Sequence, residues 1–537
     1  MDSTIIALGC LYGIMKYCIF FLLLLDLPFF VQSQLIPKNR VEAHTYNGSY
    51  TGPNRSRVAF PVGGMGAGMI CLEGSGAISH VSLHHTPDLY NEPLLFAAIA
   101  IKGQAHSARV LEGPVPGWKI FGPWDSGSGE GDRSYGLARF RNTGFLARFP
   151  FAEITLTDPE IPLEVRLTGW SPFIPTDADN SSLPVGALEY HFTNRSHHPL
   201  DCIFSFNARN IMAMTGSRGG DSIGPTRIET LQNGFILDQE ASSKAPWQRG
   251  AFAIWVDTDQ KGVTVDYCWF RGGWWDPLTM AWKHIEEGQI QSVAPVKKDA
   301  PGASLFMPFT LKPSECRTIR VLLAWYVPDS HLRVGRPCDK SSDSTVHDSS
   351  RELPSSYYKP WYSSRFANIR EVVNYWQNSY TCLRAKSVLF KDAFYRSSLP
   401  PEVLEAAGNN LSILKSPTVM RQYDGRFWAW EGSNDTAGSC AGTCTHVWNY
   451  AQALCHLFPE MERSIRETEL KEDMDSAGHQ NYRAALPIRP VAHDYYRPAA
   501  DGQLGAIMRL YRDWRICGDS TWLRNLYSRA RDRKSVV

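Results

Sequence analysis

The period of the hydrophobic pattern changes once along this chain, and that change constrains the fold more than any single motif. Between residues 61 and 328, apolar and polar side chains alternate in short runs, as at Ala152, Ile154 and Leu156. Gly, Pro, Asn and Asp separate the runs. Many short alternating segments joined by turns are typical of antiparallel sheets. The pattern predicts a large antiparallel β-sandwich in the N-terminal part of the chain.

Beyond residue 356 the apolar residues recur at helical spacing instead. These stripes predict amphipathic helices at Ile369, Val372, Val373, Trp376 and Tyr380, at Val447, Tyr450, Ala451, Leu454 and Phe458, and at Leu504, Ile507, Met508, Tyr511 and Trp514. The stretch between the two patterns is rich in Ser and Asp, which is typical of a linker. Strands followed by helices, without βαβ alternation, indicate two separate domains. We therefore predict a sandwich over 34–335, a linker over 336–360 and an all-α domain over 361–537.

The first 33 residues have the layout of a secretory signal peptide. Lys16 precedes the apolar run 17–25, Asp26 interrupts that run, and Ser33 offers a cleavage site before Gln34. The run is too short and too interrupted for a stable transmembrane span, and an uncleaved signal anchor is the alternative. N-glycosylation sequons also fit a secreted or lumenal protein. They occur at Asn47, Asn54, Asn180, Asn194, Asn410 and Asn434.

Composition narrows the classes of function. With 43% apolar and 20% charged residues, the chain is an ordinary globular protein. Its formal net charge is +1, so nothing recommends a nucleic-acid partner. Removing the leader takes Cys10 and Cys18 from 12 cysteines and leaves an even number, which permits disulfides without establishing them. Cys440 and Cys444 lack a second cysteine pair or a histidine doublet, so we interpret them as structural, with metal binding as the alternative.

The glycine-rich run at residues 61–68 invites comparison with a nucleotide-binding loop. Its glycines at 64, 66 and 68 do not complete G-x-G-x-x-G, and no βαβ unit follows. We expect a tight backbone turn at the start of the sandwich instead.

The segment Trp430-Glu431-Gly432 gives the strongest indication of chemistry. It places one carboxylate in an aromatic and glycine-rich stretch that also contains Trp428, Trp448 and Tyr450. Indole rings stack on the C–H faces of a pyranose, sugar hydroxyls seek carboxylates, and the glycines allow backbone to approach a ligand closely. A carboxylate in such surroundings can attack an anomeric carbon. A helix cap or a solvated charge is the alternative reading.

Other polar groups follow Glu431 along the chain. His493 and Asp494 lie in a proline-broken stretch, which fits a loop at the mouth of a helical barrel. A surface histidine beside an aspartate is the alternative. His446 is a further polar group for sugar hydroxyls, and Asp501 most simply caps a helix that begins near Leu504.

Four features, in order along the chain, resemble glycoside hydrolase family 116, which includes the non-lysosomal glucosylceramidases. They are Pro-Val-Gly-Gly-Met-Gly-Ala-Gly at 61–68, Trp-Glu-Gly at 430–432, Val-Trp-Asn-Tyr-Ala-Gln-Ala-Leu at 447–454 with Leu-Phe-Pro-Glu at 457–460, and His493-Asp494. Leu-Tyr-Arg-Asp-Trp at 510–514, with Gly518-Asp519, extends the match. The ordered set spans most of the mature chain.

The resemblance implies an N-terminal β-sandwich packed on an (α/α)6 barrel, and retaining cleavage of β-glucosides or related β-glycosides without a metal or organic cofactor. By position, Glu431 matches the family nucleophile, and His493 and Asp494 match residues that hold the sugar in the −1 subsite. His446 falls where many members carry an aspartate, so it departs from the family pattern. We expect Trp430 to contact the sugar. The partner is then a β-glucoside or a glycolipid such as glucosylceramide, and a lipid substrate would bring peripheral membrane contact.

The resemblance also implies a second carboxyl group, an aspartate on a loop beyond the 510–514 segment, as general acid and base. The chain ends at Val537 before that loop, in the basic, aperiodic run 529–537. We therefore expect an incomplete (α/α)6 barrel and a fragment of a longer enzyme. The alternatives are a carbohydrate-binding protein without catalysis and an inactive truncated product.

Overall fold

The structure is a computed structural model that describes residues 44–121, 133–214, 223–258, 262–273, 276–297, 300–335, 357–490 and 497–531. The predicted signal peptide and residues 336–356 of the predicted linker lie outside these ranges. Within them, no helix combines the length and the hydropathy that a membrane span requires. By its contacts, the chain from Thr45 onward forms one compact unit.

The sheets are built from strands that lie mostly before residue 330. In chain order the strands are β1 (Ala59–Gly63), β2 (Met69–Glu73), β3 (Ile78–Ser82), β4 (Leu95–Ile101), β5 (Arg109–Val110), β6 (Asn142–Arg148), β7 (Phe151–Asp158), β8 (Ile161–Trp170), β9 (Val185–Asn194), β10 (Leu200–Arg209), β11 (Thr226–Leu231), β12 (Gly234–Gln239), β13 (Gly250–Val256), β14 (Thr264–Asp266), β15 (Gly302–Leu311), β16 (Cys316–Tyr326), β17 (Val419–Arg421), β18 (Phe427–Ala429), β19 (Gly432–Ser433) and β20 (Gly438–Ser439).

The helices lie mostly after residue 360. They are α1 (Gly117–Phe121), α2 (Pro277–Glu286), α3 (Tyr362–Arg365), α4 (Ile369–Tyr395), α5 (Pro401–Leu411), α6 (Thr445–Trp448), α7 (Ala453–Leu457), α8 (Pro459–Glu467), α9 (Ala500–Cys517) and α10 (Ser520–Arg531). A π-helical turn, Thr468–Glu472, continues α8, and short 3-10 turns occur at Gly52–Arg55, Asn180–Ser182, Pro246–Gln248 and Ser412–Lys415.

The N-terminal part is the predicted antiparallel β-sandwich. One sheet has eight strands in the order β11-β12-β13-β16-β9-β8-β7-β6, and the other has five in the order β14-β15-β10-β4-β5. Their facing sides share one hydrophobic core. The Tyr190 ring of β9 lies 5.3 Å from the Phe204 ring of β10, and Phe192 lies 5.4 Å from Phe309. The alternating apolar residues of the sequence fill this core, as the period of two predicts.

The outer face of the eight-stranded sheet is covered by α4. The inner strands of this sheet are buried on both faces. β13, for example, is buried along its whole length and does not alternate between buried and exposed residues. Asn368 caps the start of α4 by accepting a hydrogen bond from the backbone N–H of Glu371. The first predicted stripe is confirmed, because α4 buries all five of its residues, together with Leu383 and Ser387.

A buried carboxylate fastens α4 to that sheet. Glu189 of β9 accepts hydrogen bonds from the indole N–H of Trp170 and from both Arg384 and Tyr380 of α4. Burial opposes its ionisation, but the hydrogen bonds and the charge of Arg384 prevail and hold the pKa of Glu189 below its usual value. The sheet and the first long helix are therefore joined by an ionic contact as well as by apolar packing.

The second predicted stripe does not form one helix. The chain makes two short helices there, α6 and α7, separated by a non-helical break. Leu454 and Phe458 are buried as expected, but Val447 is 41% and Tyr450 82% exposed. The prediction of a single helix with one buried face was wrong because a turn after Trp448 rotates the first residues of the stripe away from the core.

The third predicted stripe lies on a helix, α9, but most of it faces outward. Leu504, Met508 and Tyr511 are more than half exposed. The face that α9 buries carries Gln503, Ala506, Arg509, Leu510 and Asp513 instead. The inversion has an ionic cause: Arg466 of α8 is completely buried and pairs with Glu462, Glu469 and Asp513, while Arg509 pairs with Glu469.

Two expectations from the sequence motifs meet the fold here. Asn194 is 1% exposed and its amide nitrogen donates to the carbonyl oxygens of His198 and Leu311, so this sequon offers no accessible side chain. In the described part of the chain, nine cysteines are free thiols. Cys440 and Cys444 are among them, and among the residues that the structure describes no three His, Cys, Asp or Glu side chains converge as a metal site.

Candidate active site

A glycine-rich turn of the sandwich supports the hairpin that leads to Glu431. The turn follows β1, as expected from the sequence, and Gly66 adopts a φ of +72° in it. A Cβ on Gly66 would lie 2.3 Å from the backbone nitrogen of Arg421 in β17, so only glycine fits this contact. β17 pairs with β18 in an antiparallel hairpin, and the chain leaves β18 directly toward Glu431. The sandwich thus positions the start of the candidate site.

Two hydrogen bonds fix the backbone at Glu431. Its N–H donates to the carbonyl oxygens of Ser439 and Cys440, each at 3.1 Å. The short strands β19 and β20 pair just beyond, with Gly432 opposite Ser439. The residue before it, Trp430, donates its own N–H to the carbonyl of Thr418. Glu431 therefore stands at the base of a closed loop and not in a helix, which removes the helix-cap alternative.

The carboxylate of Glu431 is paired with Arg483. The Nη2 atom of Arg483 donates to Oε1 of Glu431 at 2.8 Å, and its Nη1 atom donates to the carbonyl of Ala441 at 2.7 Å. The Glu431 side chain is 23% exposed and that of Arg483 is 16% exposed. The carboxylate is thus held in a partly exposed ion pair, neither sealed in the core nor free in solvent.

A thiol completes the surroundings of this carboxylate. Cys444, directly before α6, is 1% exposed, and its thiol lies near the carboxylate of Glu431. Burial, followed by the influence of the nearby Glu431 carboxylate, raises the pKa of the Cys444 thiol above its usual value. The group therefore stays a neutral S–H near neutral pH, and it can donate to the carboxylate.

The aromatic residues around Glu431 do not all form a sugar-binding surface. Trp428 is completely buried, and its indole N–H donates to the carbonyl of Ala484, so it cannot stack on a sugar. Trp448 packs edge-on against Phe427, with ring centroids 5.4 Å apart. Tyr450 is 82% exposed. The expectation that Trp428 offers a face to a sugar was wrong, because Trp428 fills an apolar cluster with Met420 of the hairpin and Leu486. Trp448 is partly buried against the core that contains Phe427.

Trp430 keeps part of its surface accessible. Its ring packs edge-to-face on Trp428 at 5.0 Å, and the backbone of Gly438 covers one part of it. A Cβ on Gly438 would lie 2.0 Å from a ring carbon of Trp430, so the loop closes over the indole only because this residue is glycine. The contact of Trp430 with a sugar stays a prediction.

His446 lies on α6, two residues after Cys444. Its Nδ1 atom is 2.7 Å from Oδ2 of Asp501, and its ring lies 5.4 Å from that of Tyr482. This hydrogen bond lowers the pKa of Asp501. We expected Asp501 to cap the start of α9. This prediction was wrong, because the helix already begins at Ala500. His446 is 42% exposed, which leaves one side of its ring open to solvent.

The other two predicted sugar-binding residues, His493 and Asp494, fall in residues 491–496, outside the part of the chain that the structure describes. Their predicted role beside Glu431 therefore stays a prediction.

A small polar cavity adjoins the ion pair. It has a volume of about 10 Å³, and its lining includes Arg483, Thr445, Asp473 and Asn481, while Glu431 does not line it. Among the described residues, the Asp473 Oδ1 atom and both amide atoms of Asn481 are buried without hydrogen-bond partners. Burial, with the nearby carboxylates of Glu469 and Glu472, raises the pKa of Asp473 well above its usual value. A space this small suits about one water molecule and excludes a sugar ring.

The sequence did not reveal Arg483 and Cys444 as partners of Glu431. Arg483 follows Asn-Tyr in a segment without periodicity, and no spacing rule links it to an acid so far away in the chain. The only available signal was the glycine-rich loop between Glu431 and Cys444, which allows the chain to return to the carboxylate.

A sequence model described as beta-glucosidase 2, glycosyl-hydrolase family 116, N-terminal domain, matches residues 59–383. The matched part contains the sandwich and most of α4, and it ends before Glu431. It covers more than half of the 537 residues.

Solved structures similar to this chain include two carbohydrate-active proteins. A protein from the human microbiome described as a kojibiose phosphorylase has 10% sequence identity and a TM-score of 0.39, over 88% of this chain and 55% of its own. A family GH92 alpha-mannosidase from Bacteroides thetaiotaomicron has 8% identity and a TM-score of 0.30, over 90% of this chain and 64% of its own. The present chain thus spans less than two thirds of the length of either protein.

Antiparallel sheets in the order described above, followed by helices, agree with the long match to one sequence family. The chain belongs to glycosyl-hydrolase family 116.

Proposed function

We propose that this chain carries the nucleophile of a retaining β-glycosidase, and that the nucleophile is Glu431. Family membership supports glycoside hydrolysis as the class of reaction. The observation that carries the assignment to Glu431 is its held but partly exposed carboxylate, 2.8 Å from the guanidinium of Arg483. A nucleophile needs both properties, because it must be ionised and aimed and must also reach the substrate.

In the proposed first step, a carboxylate oxygen of Glu431 forms a bond to the anomeric carbon of the sugar. The bond from that carbon to the aglycone oxygen breaks, and the oxygen leaves with a proton from a general acid. In the second step, water gives its proton to the same acid–base group and displaces Glu431, so the configuration at the anomeric carbon is retained. We assign the general acid to no residue of this chain.

Sugar recognition in this proposal uses residues on either side of the nucleophile. His446 keeps an open ring edge and is oriented by Asp501, so it can hydrogen-bond to a sugar hydroxyl. Trp430 offers the exposed part of its indole to the C–H face of the ring. We place His493 and Asp494 at the hydroxyls of the same sugar, which follows from their match to the family pattern.

The substrate class we propose is a β-glucoside, with glucosylceramide as the lipid candidate. We further propose that helices from α4 onward belong to an (α/α)6 barrel and that the protein is secreted or lumenal. The family match supports the glucoside. The lipid aglycone and the location depend on the sequence pattern alone.

The proposal is tested by trapping the intermediate. The chain is incubated with dinitrophenyl 2-deoxy-2-fluoro-β-glucoside, whose leaving group needs little protonation and therefore little help from a general acid. We expect one fluorosugar mass on the proteolytic peptide that contains Glu431, and none on the Glu431→Gln variant. Labelling of a different carboxylate would show that the nucleophile is misassigned.

The same experiment separates the alternatives. A carbohydrate-binding protein without catalysis would bind β-glucosides in a calorimetric titration and form no adduct. An inactive product would neither bind nor react.

A further inference from the structure

Arg483 joins three parts of the candidate site. One of its nitrogens holds the carboxylate of Glu431 at 2.8 Å, and another holds the carbonyl of Ala441 at 2.7 Å. Its guanidinium also lies over the ring of Tyr482, 5.1 Å from the centroid. Since Ala441 follows Cys440, whose carbonyl accepts the N–H of Glu431, the same arginine fixes the nucleophile and the loop behind it.

We propose that Arg483 is a positioning residue for catalysis, which sets the direction of the Glu431 carboxylate toward the anomeric carbon. The proposal rests on the proposed function of Glu431 and deepens it. Arg483 acts through Glu431 and touches no reacting atom of the substrate.

The geometry favours arginine for this task. A guanidinium is planar, always charged, and presents several N–H donors in a fixed arrangement, so it fixes the orientation of its partners as well as their charge. Lysine would supply the charge without this arrangement. Arg483 uses two different nitrogens for the carboxylate and the loop carbonyl, so the two contacts constrain each other.

Burial makes the constraint firm. The Arg483 side chain is 16% exposed and also lines the small polar cavity, so it has little freedom to swing away. The buried Cys444 thiol lies beside the same carboxylate and restricts the space around it. Between them the two groups leave Glu431 few orientations, and a displacement of about 1 Å at a reacting group can cost about 10²-fold in rate.

The experiment measures the rate of fluorosugar labelling of Glu431 in Arg483→Ala, Arg483→Lys and wild type. We expect Arg483→Ala to label about 10²-fold more slowly at saturating reagent. Reagent affinity should change little, because Arg483 does not contact the sugar. Arg483→Lys should recover only part of the rate, and added guanidinium ion should restore part of the rate of Arg483→Ala.

Arg426→Ala is the matched control. Arg426 is 28% exposed and pairs with Asp424 at 2.8 Å and with Glu472 at 3.2 Å, so its loss removes arginine ion pairs from the same region without touching Glu431. We expect it to label at the wild-type rate and guanidinium to leave it unchanged. Equal slowing of both variants, or no response of Arg483→Ala to guanidinium, would reduce Arg483 to a structural role.

Deuterium exchange of the peptide from Glu431 to Cys444 keeps the two proposals apart. If wild type labels at Glu431 and Arg483→Ala labels equally fast, the positioning role is overturned and the nucleophile stands. Suppose that wild type does not label, but that the peptide exchanges faster in Arg483→Ala than in wild type and Arg426→Ala. The proposed function of Glu431 is then overturned, whereas the stabilisation of the loop by Arg483 is supported. If the exchange rate of this peptide is the same in Arg483→Ala as in wild type, the stabilisation of the loop by Arg483 is overturned as well.

Discussion

At the scale of single residues, a glycine that allows backbone to lie against an aromatic ring shapes the candidate site. Gly438 lies against the Trp430 ring, and the loop that starts at Glu431 can close only because no Cβ intervenes. The carboxylate then lies near Cys444, where the loop ends, and pairs with Arg483 from a separate segment of the chain. The orientation of Glu431 is therefore a property of loop closure and not of a helix or strand.

A change at Gly438 tests this closure. In Gly438→Ala the new methyl group would meet the Trp430 ring at 2.0 Å, so the loop or the ring must shift. We expect a loss of about 1–3 kcal/mol in the free energy of unfolding, measured by urea denaturation, together with slower labelling of Glu431. Gly432→Ala is the control, because a Cβ there meets no atom within 4 Å. Equal loss of stability in both variants would contradict the proposed packing.

The residue scale also shows how far the sequence could predict the site. The loop and its lone acid follow from Trp-Glu-Gly and the nearby glycines. Arg483 could not be found, because ion pairs between distant segments leave no periodic signal. Trp428 was misread, because a tryptophan beside an acid looks the same in a sequence whether it stacks on a sugar or fills a hairpin core.

At the scale of elements, the contact between α4 and the eight-stranded sheet depends on Glu189. Glu189→Gln removes the charge that Arg384 and Tyr380 hold, and we expect a loss of about 1.5–3 kcal/mol at neutral pH. Arg384 is 38% exposed, so solvent screening places the result near the lower end. Chemical denaturation measures the difference. Glu164→Gln, which breaks the exposed pair with Arg195, should cost less than about 1 kcal/mol.

The ion pair between Glu189 and Arg384 predicts that the free energy of unfolding depends on pH. The pKa of Glu189 is lowered in the folded protein, so its stabilisation is complete above the unfolded value of about 4.3. It is lost as the pH falls below that value and through the lowered folded pKa. The difference in stability between wild type and Glu189→Gln should therefore be constant near neutral pH and shrink below about pH 4. A difference that grows toward acid pH would contradict the direction of the shift.

Helix α9 shows why an apolar stripe alone does not identify a buried face. Met508 is 74% exposed and Leu510 is 3% exposed, although both are apolar. We expect Leu510→Ala to cost about 2–5 kcal/mol. Met508→Ala should change stability by no more than about 0.5 kcal/mol. Thermal unfolding of the two variants distinguishes them, and a larger effect at Met508 would mean that the helix is turned the other way.

At the scale of the whole molecule, the change of hydrophobic period predicted the order of architecture correctly, with sheets first and helices after. The order of strands within each sheet was not predictable, because it depends on distant pairs such as Leu188 with Val321. The outward stripe of α9 was not predictable either, since it follows from a buried ionic cluster around Arg466. Local pattern determines which elements form, whereas long-range pairing determines which faces they bury.

In the molecule as a whole, the sheet region supports the candidate site, and the loop that starts at Glu431 carries the proposed reacting group. The glycine-rich turn after β1 packs on Arg421 of β17, so the sheet region and the hairpin before Glu431 are in direct backbone contact. The family match covers that support, and the proposed chemistry lies in the helical part beyond it. We propose that the carboxylate of Glu431, which this support positions, is the group that bonds to the sugar.

The most direct test of that claim is a crystal structure of the chain after reaction with dinitrophenyl 2-deoxy-2-fluoro-β-glucoside. We predict continuous electron density between a carboxylate oxygen of Glu431 and the anomeric carbon of the fluorosugar, with Arg483 still bound to the carboxylate. Density for the sugar on another residue, or an unmodified Glu431 beside a sugar bound elsewhere, would contradict it.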